Sequence, residues 1–484
     1  MISSHYIEIL KSFSEEEFNR LEDFLISPYH NKNSTVIKLF LLIKKYYPEF
    51  DSPKLEKEKI YIKLYPGKKY NDQVFRNLIS DSIKVFLNFL KTEKFNSSKF
   101  ISEESLLTEA NNRVLDNTFR KTLKIINDDF FSHGNISTDY FNFRRTVENN
   151  LFSFEIVRGN QERTSEYINN LLDYGFYDFL VKYFDKFFDL KINEYVYNKK
   201  SDISELENII SGINFEKVLK KIKNKSETDF KVLQILYLVF RCISDLNDDE
   251  SYFSLKNIYK ENYSLFARET SVIITNRMES ICILKGIYGK KEFMKEEFDV
   301  MKFAIENKLH KKENSFMDIT RFRNIFNRAL SLGETNWAEE FINNHINELK
   351  EEFQEDLKNY FKAMMSFHKK AFDESQQYLN NMKLNKFIFN LDYRRLMLMI
   401  YYEKKDFISA KNLSESFKNF IYKNKNVSDT RKKNLINFIN DLNSLIYSAE
   451  GNKSALEDLE IRLKADKKIM NREWLIQKIS ELKN

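Results

Sequence analysis

Residues 176–190, FYDFLVKYFDKFFDL, give the clearest indication of the fold class of this chain. Its apolar side chains recur at intervals of three and four residues, which is the spacing of one face of an α-helix. A β-strand would show strict alternation instead. The apolar stripe consists of Phe176, Phe179, Leu180, Tyr183, Phe184, Phe187 and Phe188. The pattern predicts a helix with a wide apolar face.

Glycine and proline are scarce along the whole chain. Its 484 residues include nine Gly and four Pro, and the four prolines all lie within the first 66 residues. Sheets connected by tight turns depend on both residue types, so sandwiches, barrels and Gly-rich nucleotide-binding folds are disfavoured. With 42% hydrophobic and 31% charged residues, the composition is that of a globular protein. We expect an all-α fold.

Charge and cysteine usage point to an ordinary intracellular protein. The net charge of +6, from 78 basic and 72 acidic residues, is too small to require an anionic partner. Cys242 and Cys282 each lie within an apolar helical pattern, which predicts small buried hydrophobes and neither a disulfide nor a zinc site. No apolar stretch approaches the ~20 residues of a membrane span, and residues 1–6 do not resemble a signal peptide. We expect a cytoplasmic location and no membrane span.

The predicted organisation of the helices changes near residue 97. Residues 1–96 are predicted to form an N-terminal helical module of several short helices, in which Ser14 and Glu17 form a capping box and Asn71 or Asp72 begins a long helix. Residues 97–484 are predicted to form a helical repeat array. Its predicted breaks are at residues 133–134, 158–159, 198–201, 245–249, 289, 333 and 423–428.

A repeat is clearest at about residues 320–425. Trp337, Phe372 and Phe407 are each separated by 35 residues, and a small residue follows three positions after the last two. This spacing resembles the tetratricopeptide pattern of about 34 residues, in which an aromatic and a small residue pack two antiparallel helices. The candidate repeat-packing residues are Trp337, Phe372, Ser375, Phe407 and Ala410. Glu340 replaces the small residue in the first repeat, and chance spacing in a Phe-rich chain is the alternative.

Several short strings resemble a family of uncharacterised bacterial helical-repeat proteins. They are Ser27–Asn31, Tyr65–Gly67, Tyr70–Gln73 with Arg76, Ser416–Phe420 and Glu473–Leu475. The resemblance implies an N-terminal helical module followed by a tetratricopeptide-like α-solenoid of paired antiparallel helices. It implies no activity.

A narrower resemblance concerns the segment Leu55–Leu90. It is similar to the helix-turn-helix part of bacterial activators that join a winged helix to helical repeats. That resemblance implies nucleic-acid contacts from the second helix. The candidate contacts are Gln73, Arg76, Asn77 and Lys84. Asp81 and the many apolar positions of this helix favour a structural role instead.

Catalytic signatures are absent from the sequence, and we expect no catalytic, cofactor-binding or metal-binding residues. Lys285–Lys291 is the string most similar to a phosphate loop, but without strands it predicts a helix-to-helix turn. His345 and Glu348 share a helical face at the spacing of half a di-iron site, and a solvated face is the expected reading. The acidic pairs Glu296-Glu297 and Glu351-Glu352 are likewise expected on exposed faces.

These observations favour a non-catalytic, cytoplasmic scaffold that binds a protein or peptide along the concave face of a repeat array. Candidate partner-binding residues are Tyr393, Tyr401, Tyr402, Arg431, Lys432 and Lys433. The alternative is a DNA-binding transcriptional regulator that uses the helix-turn-helix-like module. An enzyme with an unrecognised site is a third reading.

Overall fold

A computed structural model describes residues 4–197, 203–313, 315–383, 387–424, 429–465 and 470–483. Within these ranges the chain is 80% helical and contains no strand. The described residues do include one isolated parallel bridge, between Ile136 and Phe266. The predicted all-α class is confirmed.

The described residues form 24 α-helices. The first nine are α1 Ser4–Ser12, α2 Glu15–Ile26, α3 Ser34–Lys44, α4 Lys57–Leu64, α5 Asp72–Ser97, α6 Lys99–Asn112, α7 Asp116–Phe130, α8 Tyr140–Val157 and α9 Thr164–Tyr197. The others are α10 Ser204–Ser211, α11 Phe215–Lys223, α12 Glu227–Ser244, α13 Asp249–Asn262, α14 Arg268–Ile287, α15 Phe293–Glu306, α16 Ile319–Ser331, α17 Thr335–His345, α18 Glu351–His368, α19 Phe372–Asn380, α20 Phe387–Glu403, α21 Phe407–Lys423, α22 Asp429–Ala449, α23 Lys453–Ala465 and α24 Arg472–Lys483. Short 3₁₀ turns lie at Pro53–Leu55, Gln161–Arg163, Tyr263–Leu265 and Ile346–Glu348.

The chain divides into two compact units. The first contains residues 1–130 and 145–170, and the second contains residues 131–144 and 171–484. The chain passes between the units three times, and because the second and third crossings fall within α8 and α9, each of these helices contributes residues to both units. The predicted boundary at residue 96 falls at the end of α5 and stays a prediction.

Within the first unit, α5 is the central helix of the amino-terminal core. It packs against α1, α2 and α3, and buries large side chains that include Phe75, Phe86 and Phe89. Local signals fix the helix starts: the predicted capping box of Ser14 and Glu17 is confirmed, and Asn71 caps α5 by accepting a hydrogen bond from the amide of residue 74.

In the second unit, α9 buries a face that differs from the predicted stripe. Phe176 and Phe179 are 38% and 46% exposed, whereas Tyr177 and Val181 are buried. Phe184 lies at the centre of the buried face, stacked on Phe240 of α12 at 4.6 Å between ring centroids. At its amino-terminal end the buried face is therefore rotated away from the predicted stripe, because it includes Tyr177 and Val181 and leaves out Phe176 and Phe179.

One turn geometry recurs at the ends of α14, α16, α18, α20 and α22. A residue with positive φ follows each of these helices, and the next amide donates to the carbonyl five residues earlier, as in a Schellman motif. The residues with positive φ are Gly289, Gly333, Lys370, Lys405 and Gly451. Each turn leads into the next helix, which packs on the one before it.

Three small residues lie at the same distance after this turn. Ala338, Ser375 and Ala410 each lie five residues after their turn residue, and all three are buried. Phe372 and Phe407 lie two residues after the turn, whereas Trp337 lies four after it; all three aromatic side chains are half-buried. Relative to the turn, Ala338 thus occupies the position of Ser375 and Ala410, and Glu340 is exposed.

The small position marks a close approach of two helices. Ser375 has no exposed surface, and its hydroxyl donates to the carbonyl of Ala363 in α18 at 2.7 Å. A larger side chain at this position would separate α18 from α19, because packed interiors hold few voids.

Candidate functional site

The four candidate nucleic-acid contacts lie on the exposed face of α5, and each has a partner on the same helix. Gln73 donates to Asn77 at 3.0 Å, and Arg76 forms an ion pair with Asp72 at 2.7 Å. Lys84 pairs with Asp81 at 3.3 Å. Because carboxylates on the same surface offset both cations, this face has little of the positive potential that phosphate binding requires.

The candidate partner-binding residues fall into different environments. Tyr402 is buried, with its ring against Phe407 and Trp474, so it belongs to the core. Tyr393 and Tyr401 are half-buried at the edge of the core. In α22, Lys433 is exposed and Lys432 is half-buried, while the side chain of Arg431 lies outside the described residues.

The phosphate-loop-like string Lys285–Lys291 is the end of α14 and its turn, as predicted. Lys285 is fully buried, and its ammonium donates to the carbonyls of Leu246 and Asp248 and to the carboxylate of Asp249. Its hydrogen-bonding capacity is therefore used within the protein. The lysine links α14 to the loop before α13.

Three arginines of α16 pair with carboxylates of three other helices. Arg321 bonds Glu279 of α14, Arg323 bonds Asp392 of α20 in a bidentate pair, and Arg328 bonds Glu297 of α15 at 2.6 Å. The three acids are at most 8% exposed. Such pairs hold helices in one relative position, and removing a single partner would leave an uncompensated buried charge.

The expectation that Glu296 and Glu297 lie on a solvated face is wrong for both residues. Glu297 is 3% exposed, and burial raises its pKa while Arg328 opposes that rise. Glu296 is half-buried and pairs with Lys256 of α13. The arginine and lysine partners are distant in sequence, so a local charge pattern could not indicate this burial. The other pair, Glu351-Glu352, is exposed as predicted.

The side chains with the most distinctive chemistry are two histidines that share one carboxylate. His310 follows α15, His345 ends α17, and Glu348 lies in the 3₁₀ turn between α17 and α18. Nε2 of His310 lies 2.7 Å from Oε2 of Glu348, and Nδ1 of His345 lies 2.9 Å from Oε1. We call these three residues the His–Glu–His cluster.

This cluster is largely removed from solvent. The side chain of His310 is 4% exposed, and those of His345 and Glu348 are 20% and 23% exposed. Glu348 is fixed at both ends, because its carbonyl also accepts from the amide of Met317 at 2.8 Å. The expectation of a solvated face for His345 and Glu348 is therefore wrong.

Burial and charge set the protonation of the cluster. Burial would raise the pKa of Glu348, but hydrogen bonds from the two histidines and the charge of Lys311 outweigh it and lower the pKa to about 2. Burial lowers the pKa of His310 against the opposing effect of Glu348. At neutral pH the cluster thus presents an ionised carboxylate and a neutral imidazole, both of which are metal-ligand forms.

Only part of this cluster could be predicted from the sequence. The i, i+3 spacing of His345 and Glu348 is visible, but His310 is 35 residues earlier and follows a different helix. Packing of the segment after α15 against the end of α17 brings the second imidazole to the carboxylate, and no local pattern indicates it.

Comparisons with known proteins give no family or relative for this chain. No family model, no curated protein and no solved structure matches it. Among the described helices, none is both long and apolar enough to cross a bilayer.

Proposed function

We propose that α12–α24 form a tetratricopeptide-like α-solenoid that serves as a non-catalytic scaffold for a protein partner. The observation that carries the proposal is that five successive helices, α14, α16, α18, α20 and α22, each end in a Schellman turn and are each followed by a helix packed against them. The same turn also follows α6, α8 and α15, so the series of packed pairs carries the proposal and not the turn alone. A repeated helix–turn–helix unit stacks in one direction and leaves a long surface for many modest contacts.

Contacts between successive pairs support this stacking. The second helix of one pair packs on the first helix of the next at α15–α16, α19–α20, α21–α22 and α23–α24. First helices also contact each other at α12–α14, α18–α20, α20–α22 and α22–α24. The free, buried cysteines fit the reducing conditions of the cytoplasm, where we place this scaffold.

The ion pairs of α16 restrict where a partner can bind. The bonds from Arg321 to α14 and from Arg323 to α20 satisfy these charges within the protein. Exposed apolar side chains are a better source of binding energy, since their burial needs no ion pair to be broken. On three consecutive helices these are Ile408, Tyr422, Tyr447 and Ile461, which are 77%, 64%, 49% and 68% exposed.

Affinity purification of the tagged full-length chain tests the scaffold. We expect one polypeptide to co-purify and, once isolated, to bind with a saturable isotherm of fixed stoichiometry. A triple variant Ile408→Ser, Tyr422→Ser, Ile461→Ser should weaken that binding. The matched control Ile26→Ser, Tyr29→Ser, Ile62→Ser changes the same residue types in the first unit, where each is also more than half exposed, and should leave the binding intact.

Two results would contradict the proposal. One is the absence of any polypeptide that binds the purified protein saturably. The other is salt-sensitive binding of random duplex DNA that is lost in Arg76→Ala and Lys84→Ala, which would instead support the regulator reading.

A further inference from the structure

We propose that the His–Glu–His cluster is a binding site for a divalent transition-metal ion of the Zn²⁺ class. Its ligands are Nε2 of His310, Nδ1 of His345 and the carboxylate of Glu348, and these atoms all lie within 4.8 Å of one another. Two imidazoles and one carboxylate form a ligand set that Zn²⁺ uses in proteins when a water or another group takes the fourth position.

The geometry requires only a small adjustment. In a tetrahedral zinc site, ligand atoms about 2.0–2.1 Å from the ion lie about 3.3 Å from each other. The nitrogen-to-oxygen distances of 2.7 and 2.9 Å run to the two different oxygens of Glu348, and both must lengthen for one ion to bind the carboxylate and both imidazoles. Rotation of the imidazole of His345, which is partly exposed, provides that room.

The nitrogen of His310 that faces away from the carboxylate has no partner among the described residues. Nδ1 is buried and makes no hydrogen bond with any of them. A metal-bound histidine usually donates its other ring N–H to a carbonyl, a carboxylate or water. Metal binding at Nε2 therefore requires a shift of the ring that brings Nδ1 to such an acceptor.

Lys311 opposes metal binding in a way that can be measured. Its ammonium lies 3.4 Å from Oε2 of Glu348 and would repel a dication. The side chain is 26% exposed, so it can turn toward solvent when an ion enters. Replacing Lys311 should therefore strengthen metal binding, whereas a merely structural ion pair gives no reason for such a gain.

Calorimetric titration of tag-free, chelator-treated full-length protein with ZnCl₂ tests the site. We expect one high-affinity ion per chain, no comparable binding of Mg²⁺, and tighter binding in Lys311→Ala. His345→Gln and Glu348→Gln should weaken binding by more than about 100-fold, beyond the effect of losing an outer-shell partner. The matched control is His368→Gln, because His368 also ends a helix but lies outside the cluster.

Cobalt substitution provides a readout that does not depend on stability. Co²⁺ bound by the wild type should show visible ligand-field bands that change in His345→Gln, which alters the least buried ligand. Circular dichroism identifies any variant that fails to fold. If Glu348→Gln does not fold, the binding of zinc and cobalt by His345→Gln alone tests the site. The proposal is overturned if zinc does not bind stoichiometrically, or if it binds His345→Gln and the wild type equally.

Discussion

At the residue scale, two lysines occupy backbone positions that favour glycine. Lys370 and Lys405 have φ of 60° and 59°, and both side chains are exposed. A residue with a Cβ is strained in this conformation, whereas glycine is not. The turns after α18 and α20 therefore form without the glycine that their backbone conformation favours.

Replacing these lysines by glycine should stabilise the protein. We expect Lys370→Gly and Lys405→Gly each to raise the free energy of unfolding by about 1 kcal/mol, after allowing for the greater freedom of glycine in the unfolded chain. The reverse change, Gly333→Ala, should lower it, since Gly333 has φ of 77°. Chemical denaturation of the three variants measures whether the free energy of unfolding rises or falls in each. Destabilisation by both glycine substitutions would contradict the turn assignment.

A second residue-scale prediction concerns Glu279. Burial raises its pKa to about 7, the charge of Glu297 adds to that rise, and Arg321 opposes it. The folded protein therefore retains a proton that the unfolded chain releases above the ordinary value of 4.5. Stability contributed by this group is lost as pH rises from about 4.5 to about 7, by roughly 3 kcal/mol at most.

The substitution Glu279→Gln isolates that effect. The free energy of unfolding of the wild type, measured relative to the variant, should fall between pH 5 and pH 8. Arg321 keeps Asn276 as a hydrogen-bond partner in the variant. An unchanged difference across this range would show that Glu279 stays ionised beside Arg321.

At the element scale, the small residues test the register of the helix pairs. Leucine at Ala338, Ser375 or Ala410 should lower the free energy of unfolding by about 1–3 kcal/mol, because each position is fully buried between packed helices. Glu340→Leu is the control, since it is exposed on the same helix as Ala338 and should change stability by less than about 0.5 kcal/mol. If Glu340→Leu lowers the free energy of unfolding more than Ala338→Leu does, the register in which Trp337, Phe372 and Phe407 are equivalent is the correct one.

The starts and ends of helices could be predicted where they depend on residues that are neighbours in the sequence. The capping box at Ser14, the cap of α5 at Asn71 and the break at Gly333 all depend on neighbouring residues, and the structure has them as predicted. The buried face of α9 and the burial of Glu297 depend on helices distant in sequence. For the same reason, His345 could be singled out from spacing but its partner His310 could not.

At the scale of the whole molecule, the two units contain separate buried clusters. Leu39 of α3 lies in the core around α5, and Leu442 of α22 lies in a core formed by helices α20–α24. Neither side chain has exposed surface. A substitution in either core should therefore destabilise mainly the helices that surround that core.

Hydrogen exchange followed by mass spectrometry measures that locality. Leu39→Ala and Leu442→Ala should each lower stability by about 2–5 kcal/mol. The first should accelerate exchange mainly in residues 4–97, and the second mainly in residues 387–483, because the two side chains belong to separate buried clusters and structure can open locally. Uniform acceleration along the chain in either variant would show a single cooperative structure.

The two buried cysteines provide a way to follow local opening of the structure. Cys242 and Cys282 belong to the same core, burial raises the pKa of Cys242 to about 12, and burial also raises the pKa of Cys282. Since a thiol reacts as its thiolate, neither sulfur should react with a disulfide reagent while this core is closed. The rate at which a chromogenic disulfide reagent modifies the native protein would thus report how often the core around α12 and α14 opens, without an introduced label.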